Sequence, residues 1–302
     1  MKVLDILNAP WAIIPEKLLQ IREIYFRHLH GEPVDIGAIE AQLGRPLVND
    51  PQPYEIDRGV AVVELNGILA KRMDMFLQIS GGTSTRSVAR NFKAALADPA
   101  AHSILLNIDS PGGEVDGTQE LSNLIARSRD EKPIVALADG MAASAGYWIA
   151  SGASKVYAAN QTAMLGSIGV IATHFDVSKR NEMQGVKVTQ ITAGKFKGIR
   201  SPYRPLDRES EDMIQGILDQ VYSIFVNDVA AHRGFTVDKV LSDMADGREL
   251  VGDRAVEAGL ADGIATREEI IATLNRQADI RQQFLAQGAA AAARLEELQV
   301  SI

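Results

Sequence analysis

Residues 103–113 read Ser-Ile-Leu-Leu-Asn-Ile-Asp-Ser-Pro-Gly-Gly, an apolar run that ends in a proline and two glycines. A short apolar run bounded by turn residues is typical of a strand buried on both faces of a sheet. The next segment, residues 115–127, carries Leu121, Leu124 and Ile125 at helical spacing. We therefore predict a buried strand, a turn with accessible amide groups and a helix, in that order.

The alternation of strand and helix extends in both directions from this segment. Further strands are predicted over residues 59–69, 134–138, 155–158, 163–173 and 186–193, and further helices over residues 85–96, 141–150 and 207–233. This order is typical of an α/β domain. We expect a helical N-terminal arm with a linker (1–56), the α/β domain (57–266) and an alanine-rich helical tail (267–302). Pro15 is expected to begin the helix of the arm.

The composition excludes several classes of function. The chain has 302 residues and a net charge of −8 without a basic block, so it should repel nucleic acid and anionic membranes. It has no cysteine, and its five histidines show no metal-ligand spacing, so we expect no disulfide, metal or cofactor. No segment reaches the ~20 apolar residues that span a bilayer, and Asp5 and Pro10 interrupt any signal-peptide core. A cytoplasmic protein without a membrane anchor is expected.

Two motifs of small residues could form the centre of an active site. The amide groups of Gly112 and Gly113, between a strand and a helix, could hold an oxyanion, although an ordinary turn would have the same sequence. In Gly140-Met-Ala-Ala-Ser-Ala-Gly-Tyr147, Ser144 lies where a strand turns into a helix, and the N–H of Ala145 could be a second donor. A tightly packed helix is the alternative for this motif.

A serine nucleophile needs a base, and no histidine lies in a comparable small-residue setting. A lysine can replace histidine if burial lowers its pKa. Candidates are Lys195 and Lys197 in Ala193-Gly-Lys-Phe-Lys-Gly198, and Ser167 in Leu165-Gly-Ser-Ile-Gly169 could orient the amine. For a lysine taken alone, a solvated surface charge is the simpler interpretation.

The four motifs, taken in the order in which they occur along the chain, resemble the signal peptide peptidase A family of serine peptidases. The resemblance runs from about Gly59 to Ala265 and includes residues 247–264, which begin Gly-Arg-Glu-Leu-Val-Gly. It implies a ClpP/crotonase-like fold with repeated β-β-α units. It also implies a serine peptidase with these site residues: Ser144 as the nucleophile, Lys197 as the base, Ser167 as the hydroxyl that positions the lysine, and the N–H groups of Gly113 and Ala145 as the oxyanion hole. Lys195 remains the rival base.

The N-terminal arm, with Pro10-Trp-Ala-Ile-Ile-Pro15, resembles the phage and prophage branch of this family, the capsid assembly proteases. That resemblance implies scaffold or capsid proteins as substrates and a location in the host cytoplasm or the procapsid. Members of the fold usually form rings, sometimes with active sites built across subunits, so we expect a homo-oligomer. Three alternatives stay open: a soluble signal-peptide-peptidase-like protease that degrades peptides, a crotonase-fold acyl-CoA enzyme with Glu114 as a carboxylate base, and an inactive assembly protein.

Overall fold

A computed structural model describes residues 10–19, 53–72 and 82–300, and the side chains as far as residue 287. Its larger sheet has eight strands: β2 (Glu55–Asp57), β3 (Val60–Asn66), β6 (Ser103–Ser110), β8 (Ile134–Ala143), β9 (Lys155–Ala158), β10 (Met164–Gly166), β11 (Glu249–Val251) and β12 (Gly263–Ile264). The smaller sheet has four: β1 (Trp11–Ile13), β4 (Leu69–Ala70), β5 (Thr83–Ser84) and β7 (Gly112–Glu114).

Strands β3, β6 and β8 form the parallel centre of the larger sheet. The two halves of strand β8 pair with different strands on one edge. Val135–Ala138 pair with β9 and Met141–Ala143 pair with β10, both in parallel. The antiparallel strands β2 and β11 close the two ends of the main strand path. The fork in β8 leaves the carboxyl end of this strand beside the end of β10, where the candidate site lies.

The helices cover both faces of the sheet. Phe92, Leu121 and Phe225 belong to one buried cluster, and Ile270, Ile271 and Leu274 belong to a second cluster with Val60 and Leu105 of the strands. The helices are α1 (Thr85–Ala97), α2 (Thr118–Arg127), α3 (Ala145–Ser151), α4 (Ser178–Met183), α5 (Arg208–Arg233), α6 (Val237–Asp243), α7 (Gly252–Ala258) and α8 (Arg267–Val300). The predicted α/β fold is confirmed.

The structure corrects three of the predicted elements. Residues 141–143, predicted as the start of a helix, extend β8, and the helix begins only at Ala145. The strand predicted over residues 163–173 is limited to Met164–Gly166. Residues 186–193 form no strand and are exposed, because no neighbouring strand of the described chain pairs with them.

The N-terminal arm is described only over residues 10–19. A helical segment begins at Pro15, as predicted, but residues 11–13 form strand β1, which the sequence did not predict. The rest of the arm and most of the linker lie outside the described residues. The limits of the arm, the α/β domain and the tail therefore stay a prediction. In the described part of the chain, no helix combines the length and hydropathy needed to cross a lipid bilayer.

Candidate active site

Ser144 lies at the turn between β8 and α3. Its backbone adopts φ 55° and ψ −118°, a conformation that costs a residue with a side chain about 1–3 kcal/mol. The turn is held from both sides, because the N–H of Ser144 donates to the carbonyl oxygen of Gly166 at 2.7 Å and its own carbonyl accepts from the N–H of Trp148 at 2.9 Å. A strained strand-to-helix turn of this kind lifts a hydroxyl out of the sheet.

Helix α3 is fixed from behind by buried aromatic residues. Trp148 stacks on Phe225 with ring centroids 4.3 Å apart, and its indole N–H donates to Asp228 at 2.9 Å. The hydroxyl of Tyr147 donates to the carbonyl of Leu260 at 3.0 Å. Burial raises the pKa of Tyr147 to about 12, so this hydroxyl keeps its proton at neutral pH. These contacts fix the direction in which Ser144 points.

The glycine turn runs directly beside Ser144. A Cβ atom on Gly112 would lie 2.9 Å from the Cβ of Ser144, and Gly112 has a φ of +103° that disfavours any side chain. A Cβ on Gly113 would overlap the backbone carbonyl of Leu69. Glycine is therefore required at both positions, because the backbone passes too close to its neighbours for a side chain.

No role is predicted from the sequence for Ser110, although it lies inside the glycine motif. Its hydroxyl donates to the carbonyl of Gly67 at 2.7 Å and accepts from the N–H of Gly112 at 3.2 Å. Ser110 is fully buried, and Gly67 lies in the short connection between β3 and β4. It positions the backbone of the glycine turn, and the only sequence signal for it is its place next to Pro111.

Ser167 lies close to Ser144 by the register of the sheet. Ala143 of β8 pairs with Gly166 of β10 in parallel, so the two serines follow directly at the same end of adjacent strands. Ser167 also has a positive φ, 51°, and its N–H donates to the carbonyl of Arg248 at 2.7 Å. The structure therefore brings together Ser144, Ser167, Gly113 and Ala145, which is the first residue of α3.

The two candidate lysines lie on the turn of residues 193–200, where both side chains are exposed. Lys195 forms an ion pair with Glu209 at 2.5 Å. The ammonium group of Lys197 has no hydrogen bond or ion pair with any residue that the structure describes, and none joins it to Ser144. The hydroxyl of Ser144 instead faces the carbonyl oxygen of Gly169 at 3.5 Å. Among the described residues, the serine and the lysine therefore make no direct contact.

The groove beside Ser144 already holds a peptide strand, β1. It pairs in antiparallel fashion with β7, with Ala12 opposite Gly113. On its other side, Trp11 exchanges two backbone hydrogen bonds of 2.8 Å with Ile171. Ser144 is only 1% exposed in this arrangement. Residues 10–19, 53–72 and 82–287 contain no cluster of His, Asp or Glu suited to bind a metal.

Comparison with known proteins identifies the family. Residues 126–281 match the model of peptidase family S49. The chain belongs to peptidase family S49. An overlapping region, residues 60–173, matches the Clp protease model. The resemblance stated from the motifs is thereby confirmed.

The relatives of this S49 chain include phage proteins. It is 35% identical over 235 residues to the capsid assembly protease C of Escherichia phage lambda, covering 78% of this chain and 53% of that protein. It is 32% identical over 221 residues to the head-tail preconnector protein GP5 of Enterobacteria phage P21, covering 73% and 44%. The chloroplastic serine protease SPPA of Arabidopsis thaliana is 31% identical over 177 residues, covering 58% and 26%. The chain spans about half the length of the two phage proteins.

Proposed function

We propose that this S49 protein is a serine endopeptidase in which Ser144 is the nucleophile and Lys197 the general base. The observation that carries the proposal is the strained backbone of Ser144 beside the glycine turn. Strain of this kind persists only where surrounding structure enforces it, and it is concentrated at functional sites. Here it turns a hydroxyl towards a strand edge where an extended peptide can bind.

The proposed reaction proceeds through an acyl-enzyme. A substrate strand adds to β7, and main-chain hydrogen bonds set its register. The hydroxyl of Ser144 attacks the substrate carbonyl while Lys197 accepts the proton. The N–H groups of Gly113 and Ala145 hold the oxyanion, where each donor contributes roughly 10²–10³ in rate. Lys197 then protonates the leaving amine and activates the water that hydrolyses the ester.

Lys197 must approach Ser144 for this chemistry, and we propose that a neighbouring copy of the chain supplies it. The long segment between β10 and α5 that carries Lys197 is exposed, and its apolar side chains include Met183 at 82% and Ile191 at 95% exposure. Apolar residues in such a position favour contact with another chain. Ser167, at the end of β10, is then placed to orient the incoming amine.

We favour Lys197 over Lys195 because Lys195 is bound to a carboxylate. The ammonium group of Lys195 would have to leave its contact with Glu209 to reach Ser144, whereas Lys197 has no such contact among the described residues. The acyl-CoA alternative is less well supported, because the proposed carboxylate base, Glu114, accepts a hydrogen bond from the backbone N–H of Lys71 at 3.0 Å. The assembly-protein alternative does not account for the strain at Ser144.

The phage relatives support scaffold or capsid proteins as the substrates. The corresponding place of action would be the host cytoplasm or the procapsid, and the working form would be a homo-oligomer. These assignments go beyond the family and are part of the proposal. They predict that a scaffold or capsid protein encoded beside this chain is cut at a small number of sites, which mass spectrometry of the fragments would locate.

The test compares three variants of the full chain at the same concentration. Ser144→Ala should abolish both peptide cleavage and labelling by a fluorophosphonate, with an unchanged circular dichroism spectrum. Lys197→Ala should abolish cleavage, and Lys195→Ala, the matched control on the same turn, should retain it. Turnover by the Ser144→Ala variant would show that Ser144 is not the nucleophile. An inactive Lys195→Ala variant beside an active Lys197→Ala variant would show that Lys195, and not Lys197, is the base. Mixing Ser144→Ala with Lys197→Ala should restore activity if the site is shared between copies.

A further inference from the structure

Strand β1 occupies the position that a substrate would take beside Ser144. Its three residues, Trp11–Ile13, lie between β7 on one side and Ile171 on the other. An extended peptide held by backbone hydrogen bonds along both edges is a common mode of peptide recognition. The occupant in this structure is a segment of the same chain.

The register places the carbonyl of Ala12 at the glycine turn. Trp11 uses both its N–H and its carbonyl on Ile171, at 2.8 Å each. Because successive residues of a strand direct these groups to opposite sides, those of Ala12 face β7. On the same edge, the N–H of Ile14 donates to the carbonyl of Pro111 at 3.1 Å. Hydrogen-bonded pairs alternate along the ladder, so Ala12 and Gly113 form the next one, and the carbonyl oxygen of Ala12 faces the N–H of Gly113.

Ser144 lies next to the position where the carbonyl group of Ala12 meets the glycine turn. A Cβ added to Gly112 would overlap the carbonyl oxygen of Ala12 and would lie 2.9 Å from the Cβ of Ser144. The nucleophile and the carbonyl group of Ala12 therefore flank one backbone atom that carries no side chain. Ala12 is fully buried and Ser144 is 1% exposed, so no second peptide fits in the groove while β1 is there.

We propose that the chain is its own first substrate and that Ser144 cleaves the peptide bond between Ala12 and Ile13. This inference rests on the proposed function. The oxygen of Ser144 bonds to the carbonyl carbon of Ala12, and the bond to the nitrogen of Ile13 breaks. The serine proton passes through the lysine amine to that nitrogen. Water then hydrolyses the ester, which gives a carboxylate at Ala12 and a free amine at Ile13.

The side chains of β1 explain why this bond is selected. Trp11 and Ile13 pack with Leu18 and Ile68 in a small buried cluster, which holds the strand on both sides of the bond. Between them, the methyl group of Ala12 belongs to the main core and is fully buried. The site next to the bond therefore accepts a small side chain. Cleavage removes the covalent link across the groove, so residues 1–12 can dissociate and other substrates can enter.

The experiment follows the intact mass of the purified full-length chain and the sequence of its new N-terminus. We expect a product that begins Ile-Ile-Pro-Glu, and the Ser144→Ala variant should not form it. Ala12→Phe, which places a large side chain where a methyl group is buried, should cut this bond at least ~10-fold more slowly. Glu16→Gln, an exposed change in the same segment, should cut at the wild-type rate.

A fluorophosphonate label and a separate peptide substrate distinguish the two proposals. If Ser144 is labelled and the peptide is cleaved while the bond between Ala12 and Ile13 stays intact, self-cleavage is overturned and the proposed function stands. If Ser144 is not labelled and nothing is cleaved, the proposed function has failed, and this inference fails with it. Equal rates for the Ala12→Phe and wild-type chains would also overturn the assignment of the bond.

Discussion

The strain at Ser144 can be measured by comparing alanine with glycine at this position. Replacing a buried alanine by glycine ordinarily lowers the free energy of unfolding by ~0.4–1 kcal/mol through chain entropy and by about 0.8 kcal/mol through the lost methyl group. At φ 55° and ψ −118°, glycine also relieves a backbone strain of roughly 1–3 kcal/mol. The combined cost of the chain entropy and the lost methyl group is nearly equal to the relief of strain. Ser144→Gly should therefore be about as stable as Ser144→Ala.

Ser103 supplies the matched control, because it is a buried serine of β6 at 1% exposure with an ordinary strand backbone. There, Ser103→Gly should be less stable than Ser103→Ala by the full ~1–2 kcal/mol. The difference between the two positions isolates the strain, with an expected value of about 2 kcal/mol. In a domain of this size, that difference corresponds to about 4–8 °C in the melting temperature.

Urea unfolding of the four variants, followed by circular dichroism at one protein concentration, measures these differences. A fixed concentration is needed because association of copies would change the apparent stability. The glycine variant could prove less stable than the alanine variant by the same free energy of unfolding at both positions. Ser144 would then not be strained, and the main argument for its role as a presented nucleophile would be lost. Both Ser144 variants should be inactive, since neither has a hydroxyl.

Trp148→Phe removes the N–H that donates to Asp228 and should lower the free energy of unfolding by ~1–3 kcal/mol, as urea unfolding would show. Because burial raises the folded-state pKa of Tyr147 to about 12, stability should fall as pH rises from ~10, the unfolded value, through the folded one. Tyr147→Phe should flatten this alkaline fall in melting curves, and an unchanged slope would contradict the assignment. Gly113→Ala, whose Cβ would overlap a carbonyl of β4, should slow peptide cleavage at least ~100-fold; wild-type turnover would exclude Gly113 as the donor.

The elements that the sequence predicted well are those whose own residues contain the signal. Local periodicity, together with the glycine and proline residues that end segments, predicts three elements well. These are the apolar run of β6, the exact limits of β9 and the long helix α5. Asp207, for example, caps α5 by accepting from the N–H of Ser210 at 2.8 Å. The motifs around Ser144 and Gly113 also predicted a family that the comparisons confirm.

The elements that the sequence missed depend on pairing between distant segments. Met141–Ala143 are helix-compatible residues, and they form a strand because β10 and, at Ala142, β6 pair with them. Val188 and Ile191 belong to a run that suits a strand but finds no partner among the described residues. For segments this short, the intrinsic preference is weak and tertiary context decides the outcome.

Local sequence patterns are sufficient to predict the α/β order, the buried core strands and the group of small residues in which a nucleophile could lie. Long-range contacts in the folded chain hold Ser144 at a positive φ and seat Trp11–Ile13 in the groove that covers it. They also leave Lys197 on an exposed turn, without a contact to Ser144 among the described residues. Strand β1 escapes sequence-based prediction because three residues contain too little periodicity to be recognised. Its stability comes from hydrogen bonds to two partners that are about 100 and 160 residues away along the chain.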